Sequence, residues 1–143
     1  MFDKFRHILI PLDFTDRNDI VLDTVHEIVA STKARVTLIH VIEPVDDHDD
    51  TELKDFTESL AKEADKQLLQ RAQRFSDICI SVICENRVGN RNAEVVACAR
   101  DTDVDLILLN SHTLDPETPD RTTFSLSYQI ALLAPCAVLL LKT

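Results

Sequence analysis

A chain of 143 residues with 15 Lys and Arg against 25 Asp and Glu, formal net charge −10, has the length of one domain. It is too acidic for a surface that holds nucleic acid or anionic lipid, since both reward clustered basic side chains. No apolar stretch approaches the ~20 residues a bilayer span needs, and Met1 to Arg6 leads into a strand pattern instead of a signal peptide, so a cytoplasmic location is expected.

In chain order, the first short apolar run, His7 to Leu12, predicts a strand. Pro11 removes a ladder donor near its end, so the strand stops or bulges there and turns Asp13 out of the sheet. Val21, Val25, Ile28 and Val29 recur at helical spacing, with Thr15 or Asp16 available as the cap. A second strand is expected from Val36 to Ile42, where His40 reads as a packed, hydrogen-bonded residue. Asp46-Asp47-His48-Asp49-Asp50 then offers oxygen and imidazole donors, but Asp49 with Glu52 fits a solvated capping loop better than a cation site. The stripe Leu53, Phe56, Leu60, Ala64, Leu68, Ala72 and Phe75 predicts a long amphipathic helix.

Ile78 to Cys84 reads as the third strand. Asn90 opens a helix with Ala93, Val96 and Ala99 on its inner face. Asp105 to Leu109 is the fourth strand, Leu126, Ile130, Leu133 and Ala134 mark a helix that stops before Pro135, and Ala137 to Leu141 is the fifth strand. The strands are continuous apolar runs, as expected where helices cover both faces of a parallel sheet. The order βαβαβαβαβ predicts one doubly wound α/β domain over residues 1–143, with a ligand crevice at the carboxyl ends of the strands where the winding reverses. Four cysteines, Cys79, Cys84, Cys98 and Cys136, lack a C-x-x-C pair and are expected as buried structural thiols.

Four segments now stand in a fixed order: His7-Ile-Leu-Ile-Pro-Leu-Asp13, Leu38-Ile-His-Val-Ile-Glu-Pro44, Asp105-Leu-Ile-Leu-Leu-Asn-Ser-His112 and Ala134-Pro-Cys-Ala-Val-Leu-Leu-Leu-Lys142. Together they resemble the universal stress protein family over nearly the whole chain. The resemblance implies a five-stranded, Rossmann-like parallel sheet ordered 3-2-1-4-5 with four helices, of the adenine-nucleotide alpha-hydrolase-like type. It also implies a homodimer through the final strand, Ala137 to Leu141, which would account for an edge with no charge or proline along it.

Nucleotide-binding members of that family carry G-x2-G-x9-G-[ST] between strand four and helix four. Here the three glycine positions fall on Asn110, Thr113 and Phe124, with Ser125 and Ser127 following; ten residues separate Thr113 from Phe124 where the pattern has nine. Gly89, the single glycine of the chain, lies outside this loop. Asp115, Glu117 and Asp120 oppose one Arg121, and Pro116 and Pro119 remove backbone donors that a phosphate nest would use.

The resemblance places Asp13 against the adenosine part of a ligand and Val41 in the adenine pocket. It also puts Phe14 where many members have glycine or another small residue, and the ring could fill the crevice, turn outward or cover the core. The expected function is a stress-response or regulatory interaction module with an unnamed protein partner, no cofactor and no ATP in the usual loop. The alternative is ATP or AMP binding through Pro11, Leu12, Asp13, Val41, Asn110, Ser111, His112, Ser125 and Ser127 with a rearranged loop. A small hydrolase built on Asp13, Ser111 and His112 would lack both a G-x-S-x-G elbow and a glycine turn for an oxyanion hole, so no enzymatic activity is expected.

Overall fold

Among the residues described by the computed structural model, 4–44, 51–111 and 126–142, strands and helices alternate. In chain order they are β1 (His7–Pro11), α1 (Arg17–Thr32), β2 (Arg35–Ile42), α2 (Thr51–Ser76), β3 (Val82–Val88), α3 (Arg91–Asp101), β4 (Leu106–Ser111), α4 (Leu126–Leu133) and β5 (Ala137–Lys142). The strands pair in the order β3-β2-β1-β4-β5, every pair parallel.

Because side chains alternate across a strand, each continuous apolar run serves two cores. Ile8 and Ile10, Leu38, Leu106 and Leu108 point to the side covered by α1 and α2, where Val25, Leu68 and Phe75 meet them. Leu9, Ile39, Val41, Ile107 and Leu109 point to the other side, against Val95, Cys98 and Ala99 of α3 and Ile130 of α4.

β3 begins four residues later than the expected Ile78 and ends at Val88. Helix α2 runs to Ser76, and the chain then turns through Cys79 at φ 61°, with the Ile78 and Ile80 amides both donating to the Phe75 carbonyl. Ile80 is consumed as a buried plug, and the strand is carried by the polar stretch Glu85-Asn86-Arg87. An edge position tolerates that stretch because one side of the strand meets solvent.

The faces of three helices also differ from expectation. On α2, Ala64, Leu68, Ala72 and Phe75 are buried, but Phe56 and Leu60 are exposed. A helix of 26 residues is about 39 Å long at ~1.5 Å per residue and overhangs strands of seven or eight residues. On α3, Ala93 is exposed and the inner face is Val95, Val96, Cys98 and Ala99. On α4, only Ile130 is buried; Leu126 and Leu133 are exposed because α4 packs at the open β4–β5 edge.

Capping divides the same way. Asn90 caps α3 as expected, its Oδ1 accepting the Ala93 amide at 3.0 Å. Asp16 occupies the cap position of α1 without a side-chain cap hydrogen bond. The expectation of buried cysteines holds for Cys98 alone: Cys84 and Cys136 are half-buried, and Cys79, on its left-handed turn, is exposed.

At the amino ends of the strands, His7 is 2% exposed. Its Nδ1–H donates to the Thr102 carbonyl at 3.0 Å, and Nε2 faces the Thr37 hydroxyl at 2.7 Å. Burial pushes its pKa down and Arg35 adds to that, while the Thr102 bond and the Asp105 and Asp103 carboxylates oppose it; the net direction is downward. The unfolded chain therefore takes up the proton first as pH falls. Stability contributed by neutral His7 is complete above the ordinary histidine value of ~6.5 and declines between it and the lower native value, at up to about 1.4 kcal/mol per pH unit. Urea unfolding from pH 7.5 to 5 should show this decline in the wild type, and His7→Gln should flatten it.

Candidate functional site

The crevice is built around the turn that follows β1. Pro11 ends the strand, and the Leu12 amide still donates to the Ile39 carbonyl at 2.8 Å. Asp13 then swings out of the sheet, and its Oδ1 accepts both the Thr15 amide (3.0 Å) and the Thr15 hydroxyl (2.6 Å). Asn18 of α1, 1% exposed, closes the turn from beneath: its Oδ1 accepts the Asp13 amide at 3.0 Å and the Phe14 amide at 2.8 Å. Partial burial works to raise the Asp13 carboxyl, but the Thr15 hydrogen bonds and the Arg91 guanidinium outweigh it, and the group sits below its ordinary value.

Phe14 adopts φ 64°, a left-handed conformation that costs a residue with a Cβ roughly 1–2 kcal/mol. Its ring stacks on His40 at a centroid distance of 4.2 Å, with the Arg71 guanidinium 4.9 Å over it, and packs on the α1/α2 core. His40 is held in turn by Nδ1–H donating to the Leu12 carbonyl at 2.7 Å. Aromatic stacking and a cation–π contact, each worth roughly 0.5–1.5 kcal/mol, offset the backbone strain. Of the three directions open to the ring, it covers the core and leaves the crevice open.

The crevice lies between the carboxyl ends of β1 and β4, where the sheet order reverses, and encloses about 220 Å³. Its floor is apolar: Ile39, Val41, Val95, Leu109 and Ile130. Its walls carry Pro11, Leu12 and Asp13 from the β1 turn, Asn110 and Ser111 from β4, and Ser127 from α4. Thus seven residues expected from the sequence are brought to one cavity. The other two, His112 and Ser125, lie outside the described residues, as do Thr113, Phe124 and the acidic stretch Asp46 to Asp50.

Arg17, Asn18 and Arg91 also line the cavity, and sequence reasoning missed all three. They sit in the first turns of α1 and α3, where they resemble ordinary helix-surface residues. Their signal is positional, since helices that follow β1 and β3 begin at the carboxyl end of the sheet where the crevice forms. Asn110, at the first of the glycine positions, points its side chain into the cavity wall, with Oδ1 3.5 Å from Asn18 Nδ2. A glycine there would instead leave the backbone open to a ligand.

Among the described residues no group of three or more His, Cys, Asp or Glu side chains is arranged to hold a metal ion. No described helix is long and apolar enough to cross a membrane.

Several solved structures share this architecture. The chain superposes on the universal stress protein UspA from Lactobacillus plantarum with a TM-score of 0.81 at 21% identity, covering 96% of this chain and 97% of that one. It superposes on a universal stress protein in complex with cAMP with a TM-score of 0.71 at 14% identity (95% and 96% covered). For the universal stress protein from Archaeoglobus fulgidus in complex with dAMP the TM-score is 0.68 at 16% identity (95% and 97% covered). Identities this low establish the fold alone, and no curated protein matches the sequence. The family model of the universal stress proteins, however, matches residues 4–142, and with that match over nearly its whole length the chain belongs to the universal stress protein family.

Proposed function

We propose that this protein is a cytoplasmic, non-enzymatic regulatory module whose crevice receives the adenosine part of an adenine nucleotide, without the glycine loop that seats a triphosphate. The observation that carries this reading is the open crevice: Asp13 and Val41 line one cavity of about 220 Å³, and Phe14 is packed on the opposite side of the sheet. An apolar floor with a few polar groups on its walls suits a flat heterocycle attached to a sugar. The cavity is small beside the roughly 300–1,000 Å³ of common ligand pockets, and the Asn110 side chain stands where the first loop glycine would be, both of which favour a ligand shorter than ATP. Two structural neighbours were solved with cAMP and dAMP, ligands with one phosphate. Asp13 is hydrogen-bonded to Thr15, which suits a fixed binding group better than a proton-transfer group.

Thermal unfolding in the presence of AMP tests the reading. At a hundredfold excess over Kd, ligand should add about 2.7 kcal/mol to stability, and Asp13→Ala should weaken binding about tenfold or more for loss of a charge-assisted contact. No stabilisation by either adenosine or AMP at millimolar concentration would refute it.

The reading includes a homodimer and an unidentified protein partner. β5 is an edge with Leu139 exposed, and the adjoining α4 exposes Tyr128, Leu132 and Leu133; the opposite edge, β3, also exposes Ile83 and Val88 but sets the charged and polar Glu85, Asn86 and Arg87 between them. Pairing through β5 would cover the first of these edges. Sedimentation equilibrium should give twice the chain mass for the wild type and the monomer mass for Leu139→Lys. A monomeric wild type would exclude pairing through β5.

A further inference from the structure

In a chain of net charge −10, the described lining of the crevice carries more positive than negative charge. Among its described lining residues the charged side chains are Asp13, Arg17 and Arg91. A third cation and a second carboxylate adjoin it: Lys142 at the end of β5 places Nζ 3.5 Å from Oγ of the cavity-lining Ser111, and Glu43 Oε1 accepts the Arg91 amide at 3.2 Å, so positive charge exceeds negative by one. The single carboxylate of the described lining, Asp13, accepts the two Thr15 hydrogen bonds and also feels the Arg91 guanidinium. Arg91 is half-buried, with its amide anchored on Glu43 Oε1 at 3.2 Å, so the base of its side chain is fixed at the rim.

We infer that Arg17 and Arg91 form an anion subsite on the α1/α3 wall of the crevice. It takes the phosphate of a nucleoside monophosphate and replaces the glycine loop on the α4 wall. The inference rests on the adenosine reading above and adds to it the class of ligand and the side chains that select it. Guanidinium groups suit the task because their planar donor fork matches two phosphate oxygens at once, and they stay charged at every physiological pH. Arg17 and Arg91, from different helices, line the same crevice, and two guanidinium charges can balance about one phosphate but not three.

The test is calorimetric titration of the full-length protein with adenosine, AMP and ATP at low salt, repeated on Arg17→Gln and Arg91→Gln. AMP should bind about tenfold or more tightly than adenosine, as a charge-assisted pair implies, and ATP no more tightly than AMP. Arg91→Gln should bring the AMP affinity close to that variant's own adenosine affinity, and Arg91→Lys should fall between, keeping the charge and losing the fork. The AMP advantage should shrink with added salt. Equal wild-type affinity for adenosine and AMP overturns the subsite and leaves the adenosine reading standing, a comparison that needs no variant. An AMP advantage untouched by both glutamine variants, or ATP binding much tighter than AMP, overturns it as well. Binding of none of the three overturns the subsite together with the reading beneath it.

Discussion

Asn18→Ala is expected to cost about 2–4 kcal/mol of unfolding free energy and to disable the crevice at the same time. The side chain is 1% exposed and its Oδ1 accepts two backbone donors, the amides of Asp13 and Phe14, at 3.0 and 2.8 Å. Removing it strands both donors, each at roughly 1–3 kcal/mol, with the lower half of the sum applying because the turn is close enough to the surface for water to reach it. The Phe14 backbone at φ 64° is the part of the turn under strain, and without Asn18 it can relax toward ordinary geometry. Asp13 would then leave the wall it shares with Val41. Urea unfolding reads the stability loss, and titration with AMP reads the binding loss. A variant that unfolds like the wild type would show that the bracket adds nothing.

Phe75→Ala should destabilise by about 3–5 kcal/mol, the range for deleting a buried aromatic ring. Phe75 is fully buried on α2, packs in the α1/α2 core and lies 6.2 Å from the His26 ring, ring centre to ring centre. It also anchors the turn into β3, since its carbonyl accepts the amides of Ile78 and Ile80. This core lies on the far side of the sheet from the cavity floor of Ile39, Val41 and Leu109. Under conditions where the variant is still folded, its affinity for AMP should therefore stay within about twofold of the wild type. A loss of affinity matching that of Asn18→Ala would mean that the two faces of the sheet are coupled.

The placement of four strands follows from apolar runs, which is why β1, β2, β4 and β5 lie within two residues of their expected bounds, whereas the pairing order follows from the family resemblance. β3 does not, because an edge strand needs little hydrophobicity: Glu85-Asn86-Arg87 reads as a loop until β2 pairs with it. Helix faces are legible only where something covers them. Phe56 and Leu60 keep the apolar spacing of α2 but overhang the sheet, and Leu133 keeps that of α4 at an open edge.

The site divides along the same line. Asp13, Val41, Asn110, Ser111 and Ser127 are reached by counting along recognisable segments. Arg17, Asn18 and Arg91 depend on how two helices begin around a common centre, a relation no local pattern encodes. Phe14 had a readable clue, in that a position often held by glycine is one where the backbone takes positive φ. The direction of its ring could not be read, because that depends on His40 and Arg71 lying on one side of the sheet.

On the function proposed above, the crevice takes an adenosine moiety and no triphosphate is seated at the positions of the family's loop glycines. A crystal structure of the full-length protein grown with AMP tests it most directly. Adenine is expected against Val41 and Ile130, ribose beside Asp13, and phosphate turned toward Arg17 and Arg91. Phosphate lodged in the 110–125 segment, or a crevice free of nucleotide at saturating AMP, would contradict it.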